Sequence, residues 1–98
     1  MALKTNQPVV KDESTYDKYG VNLALSPMWR TDGVGVSIAV RLTPYRVDEN
    51  GTPDHLDSEA RAVVYGDATQ DAATDPDLAQ FLSAIEAAGQ AFIDAKGL

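Results

Sequence analysis

Apolar and polar residues alternate from Val21 onward: Val21, Leu23 and Leu25 are separated by Asn22, Ala24 and Ser26. A period of two is the signature of a half-buried strand. Pro27 is expected to end it, with residues 27–33 as a loop. The strongest alternation follows, with Val34, Val36, Ile38, Val40 and Leu42 set against Ser37, Ala39, Arg41 and Thr43. β-Branched side chains suit a pleated surface, so this is a second strand. Pro44 has no N–H to give to a ladder and implies an edge position or a bulge, with residues 45–47 extending the strand beyond it. A third strand is expected over residues 60–67, ARAVVYGD, placing Ala62 and Val64 on one face and Val63 and Tyr65 on the other.

The period then changes. Leu78, Phe81, Leu82, Ile85, Gly89, Phe92 and Ile93 share one stripe of a helix, the pattern of a helix lying on a core. Its start is well marked. Asp75 can cap the free backbone N–H groups, Pro76 suits the first helical position, and Asp77 complements the positive end of the dipole. Lys96 and Gly97 form a matching end. Residues 67–74 read as a connector.

Residues 1–19 are polar and carry no sustained period. They are expected as an extended N-terminal arm, ordered only on assembly, so that their removal should leave the β and α content intact. Residues 20–98 then form a single α+β domain. It would be a small antiparallel sheet of about three strands, joined by loops and covered by one C-terminal helix.

Composition bounds the function. The 98 residues are 44 % hydrophobic and include no cysteine, which excludes disulfides and thiolate metal sites. No apolar h-region marks a signal peptide and no apolar run is long enough to cross a membrane. The expected location is therefore the cytoplasm or a particle assembled there, with no membrane partner. Net charge is −7, unevenly placed: residues 1–46 sum to +2 and residues 47–98 to −9. An acidic half opposes nucleic-acid binding, which rests on Lys and Arg displacing counterions. The two halves could instead pair between copies, or the acidity could serve solubility alone.

The acidic stretch 48–59, DENGTPDHLDSE, raises the question of calcium. In EF-hand spacing Asp48, Asn50, Thr52, Asp54 and Glu59 fall at ligand positions, but Pro53 stands where the loop needs glycine and cannot make that turn. A hairpin accounts for more of these residues: Asn50-Gly51 can supply two positive-φ positions, and Pro53-Asp54 continue the reversal. On that basis no metal or cofactor is expected, a looser calcium site being the minority reading, and Asp54→Asn should do little unless the loop holds a cation.

His55, Asp57 and Ser58 are the ingredients of a triad, but three neighbours in one loop lack the rigid support a triad needs. Phosphate-loop, dinucleotide and zinc-protease motifs are absent. Gly33-Val34-Gly35 reads as the start of a strand. Arg41, Tyr45, Arg46 and Tyr65 could form a basic-aromatic patch for single strands, against the overall charge.

Contact is the better expectation. Met28, Trp29 and Arg30 combine three residue types enriched at interfaces, although Trp29 could instead cap the core. Ala84, Ala88, Ala91 and Ala95 line one flank of the helix stripe, where small side chains would let another backbone approach; alanine's helix propensity alone is a sufficient reason for them. Tyr45 lies beside Pro44 on a strand that could accept a neighbour's strand. These features point to a non-enzymatic structural or interaction protein, a homo-oligomer or a subunit of a larger complex. A virion or phage assembly component fits such a size, arm and charge split. The alternative is a small acidic regulator or inhibitor that mimics nucleic acid or fills a basic cleft.

Overall fold

A computed structural model describes residues 2–98. It is α+β. Strands β1 (Ala2–Lys11), β2 (Ser14–Arg30), β3 (Gly33–Val47), β4 (Pro53–His55) and β5 (Arg61–Tyr65) precede a short α1 (Ala68–Asp71) and a long C-terminal α2 (Pro76–Lys96). One sheet holds the strands in the order β1-β2-β3-β4, with β5 also on β3. A strand has two hydrogen-bonding edges, so β4 and β5 divide the edge of β3 that β2 does not use. Among the described residues no helix is long and apolar enough to cross a membrane.

The sheet has five strands where about three were expected: the acidic stretch supplies β4, and the polar N-terminus is not an extended arm. It folds into an antiparallel hairpin in which Lys11 faces Ser14 and Val9 faces Tyr16. The two-residue turn places Asp12 at φ 51° and Glu13 at φ 65°, the mirror-image turn that matches strand twist. The register slips between Lys4 and Val9, and Pro8 sits in that irregular stretch, where a ladder donor is not required.

Pro27 does not end β2. Pairing with β1 extends only to Gly20, and a strand with a free edge tolerates a proline that a central strand would not. The expected loop therefore shrinks to Thr31 and Asp32, the two residues between β2 and β3. Pro44 lies within β3 and is fully buried. Pairing with β4 begins one residue later, at Tyr45 opposite His55, while the Pro44 carbonyl accepts from the Leu56 N–H at 2.9 Å.

By contacts the chain divides into two compact units. One runs to Ala24 and resumes over Ala39–Val64; the other comprises Leu25–Ile38 and Tyr65–Leu98. The first centres on Tyr16, which is buried. Its hydroxyl donates to Asp54 Oδ2 at 2.8 Å, and Arg46 Nε donates to the same oxygen at 3.1 Å. The Arg46 guanidinium also stands 5.7 Å from the Tyr16 ring centre, within cation–π range. Because Tyr16 belongs to the expected arm, removing residues 1–19 would remove part of this core.

The second unit buries Ile38, Ala68 and Leu78. Both helices start where a carboxylate caps them: Asp67 accepts from the Gln70 N–H at 3.1 Å and Asp75 from the Leu78 N–H at 3.1 Å. Gly97, at φ 68°, closes α2 in the left-handed conformation, as its sequence indicates. The helix does not cover an apolar face along its whole length. Leu78 is buried and Leu82 and Ile85 are half-buried, but every residue from 86 to 98 is exposed.

Candidate functional site: an interaction surface

The hairpin of β2 and β3 positions the first group of contact candidates. Side chains alternate along a strand, so Met28 and Arg30 share a face and Trp29 takes the other. Met28 is half-buried. Trp29 is 79 % exposed and does not cap a core in this chain.

Arg30 is committed to an internal contact. Its Nη1 donates to Asp67 Oδ2 at 2.7 Å and its Nη2 to Asp67 Oδ1 at 3.1 Å, a paired geometry in which guanidinium and carboxylate fit as forks. The Asp67 carboxyl is held below its ordinary value, first by the Gln70 N–H and then, against the cost of partial burial, by Arg30. Buried Gly35 makes room for this crossing, since a Cβ there would collide with the Arg30 guanidinium. Next to it, the Val36 N–H donates to Thr69 Oγ1 of α1 at 3.2 Å. The expected connector is thus a short helix docked on β3. Asp67-Ala68-Thr69-Gln70 carries the spacing of a capped helix start, the signal that would have located it.

A corresponding contact holds α2. The Tyr65 hydroxyl donates to Asp75 Oδ2 at 3.4 Å. The Tyr65 phenol is raised above its ordinary value, mainly by burial and then by the charge of Asp75. Tyr65 and Arg46 are each engaged with an aspartate, so two members of the basic-aromatic patch already have anionic partners. Tyr45 is half-buried opposite His55.

The second group lies on α2. Ala84, Ala88, Ala91 and Ala95 are all exposed, and so are larger neighbours: Phe92 at 58 % and Ile93 at 40 %. Between the first half of α2 and the β2–β3 hairpin opens a cavity of about 350 Å³, walled by Leu25, Pro27, Val34, Leu82, Ile85 and Glu86 among others. Val34 is itself 62 % exposed.

The acidic stretch is built as a turn. The Asp48 carboxylate accepts from the Asn50 N–H at 2.9 Å and the Thr52 N–H at 2.8 Å, and the Gly51 N–H donates to the Asp48 carbonyl at 3.0 Å. Within this turn only Gly51 has positive φ. Asn50-Gly51 therefore closes a type I turn with a left-handed residue after it, not the mirror-image turn expected of that pair. Asp54 points to Tyr16 and Arg46, and among the described residues no three His, Asp or Glu side chains converge as metal ligands. His55 Nε2 lies 3.5 Å from Asp57 Oδ2 with both side chains exposed, while the Ser58 hydroxyl accepts from Lys11 Nζ at 3.4 Å. The three do not form a relay.

Comparison with protein-family models, with curated proteins and with solved structures finds no match.

Proposed function

We propose that this chain is a non-enzymatic structural or interaction protein that works by assembly, with itself or as a subunit of a larger complex. One observation carries the proposal: the second unit leaves Trp29, Val34, Phe92, Ile93 and Leu98 exposed while burying few large apolar side chains. Large apolar side chains left in water in this number are what a contact face would cover. Trp29, with its large amphipathic ring, is the kind of residue that anchors such a face. The acidic-inhibitor alternative draws less support, because the carboxylates of Asp48, Asp54, Asp67 and Asp75 are each occupied within the chain.

The test is absolute mass in solution by light scattering, at low and high salt, for the wild-type chain and for Trp29→Ala. A defined oligomer that Trp29→Ala weakens without lowering the melting temperature of the dissociated chain supports assembly. A strict monomer that captures no partner, or a Trp29→Ala variant that loses folding and association equally, argues against it.

A further inference from the structure

Asn6 and Gln7 of β1, Tyr19 of β2 and Arg61 of β5 line one cavity of about 320 Å³, and no carboxylate is among its walls. All four belong to the first unit. Among the described residues Arg61 forms no ion pair, whereas Arg30 is committed to Asp67 and Arg46 to Asp54. Nor does any side-chain hydrogen bond among them involve Asn6, Gln7 or Tyr19. The backbone is irregular at this place. Between the pairs Lys4–Lys18 and Val9–Tyr16, β1 has four residues where β2 has one. Such a bulge re-aims side chains, and bulges recur beside binding sites. It explains how the neighbours Asn6 and Gln7, which a regular strand would send to opposite faces, line the same cavity. Within the bulge Thr5 Oγ1 is buried with no hydrogen-bond partner among the described residues, a sign of a segment not shaped for packing alone.

We infer that this cavity binds a small carboxylate that carries an amide, as the end of a peptide chain or an acylated amino acid does. The site goes beyond the assembly function above and does not depend on it. The ligand class follows from the donors. Arg61 supplies a planar fork that matches two carboxylate oxygens. The amides of Asn6 and Gln7 each offer donors and an acceptor to a peptide group, and Tyr19 adds a hydroxyl on a half-buried ring. Charge selects within the class. One guanidinium lines the cavity, so a carboxylate is neutralised there. A phosphate dianion would keep excess negative charge in a chain that already carries −7. Size selects as well, since the cavity lies at the lower end of ligand pockets and suits a ligand of about one or two residues. Arg61 is exposed, so its charge is open to a ligand arriving from solvent.

The experiment titrates the isotope-labelled full chain and follows its amide signals by NMR. The probes are N-acetylglycine, its uncharged amide N-acetylglycinamide, N-acetyl-triglycine and inorganic phosphate. N-acetylglycine should bind with a Kd on the order of 1 mM, as so small a ligand does, and should move the side-chain amide signals of Asn6 and Gln7. The uncharged amide should bind at least about tenfold more weakly, the scale of a lost charge-assisted hydrogen bond. Arg61→Gln should bring the same loss at an unchanged melting temperature, and Asn6→Ala a smaller one. Lys96→Gln, an equal change of charge in the second unit, should leave binding intact. Tighter binding of N-acetyl-triglycine identifies a peptide chain end as the source and equal binding a free small acid; either supports the site. A titration that moves none of these signals overturns it. So does Lys96→Gln weakening binding as much as Arg61→Gln, or phosphate binding more tightly than the carboxylates, and each of these outcomes leaves the assembly function in place.

Discussion

Arg30 and Asp67 lock the tip of the β2–β3 hairpin to the start of α1, with two guanidinium nitrogens on two carboxylate oxygens at 2.7 and 3.1 Å. The absence of a side chain at Gly35 is what lets the guanidinium pass. Gly35→Ala should therefore push the guanidinium, the mobile end of a flexible side chain, off Asp67 and cost up to about 1 kcal/mol, the scale of a partly exposed ion pair. In an Arg30→Ala background the same change should cost much less. Urea unfolding of the four chains closes this cycle, and simple additivity would show that Gly35 is needed for some other reason.

The same carboxylate gives a pH dependence. Asp67 titrates lower in the folded chain than its ordinary value of 3.8. A depressed carboxyl adds stability above its unfolded pKa and loses it as pH falls through the folded one. Melting temperatures of wild type and Asp67→Asn should thus differ near neutrality and converge as pH falls below about 3.8. A gap that persists unchanged into stronger acid would mean the effect is not one of charge.

In the first unit the shared acceptor is Asp54. Tyr16→Phe removes a hydrogen bond from a buried ring to a carboxylate and should cost about 1–2 kcal/mol in urea unfolding. The expectation that Asp54→Asn would do little is revised accordingly: it weakens the acceptor of both Tyr16 and Arg46, and should lower stability in plain buffer with no cation present. No loss in either variant would show that the Tyr16 ring alone holds this centre.

Glu13 sits at φ 65°, a conformation that is unfavourable for a residue with a Cβ. Glu13→Gly should raise stability by about 0.5–1 kcal/mol. A lower melting temperature would mean that the Glu13 side chain contributes something its turn geometry does not reveal.

What could be read in the sequence was whatever a local period or cap determines. The alternation from Val34 to Leu42, the third strand, expected over residues 60–67 and formed over Arg61–Tyr65, and the Asp75-Pro76 start and Gly97 end of α2 all stand in the fold. What escaped depends on partners distant in the chain. Nothing near Tyr16 shows that it will be buried against Asp54, and a polar hairpin has no apolar period to betray it. Pro27 looked like a terminator because its cost depends on whether the edge beside it is paired. Arg30 looked available for contact because Asp67 lies 37 residues away. The exposure of Trp29 and of residues 86–98 is likewise a property of packing and not of composition.

The turn at Asp48 has a consequence for chemical ageing. Asparagine followed by glycine deamidates when the next backbone nitrogen attacks the side-chain amide and closes a succinimide. In this chain the attacking nitrogen would be that of Gly51, and it is hydrogen-bonded to the Asp48 carbonyl at 3.0 Å, while the Asn50 nitrogen is held by the Asp48 carboxylate at 2.9 Å. Freezing that geometry slows ring closure, so Asp48 acts as a guard on the lifetime of Asn50 and keeps another negative charge out of an already acidic loop.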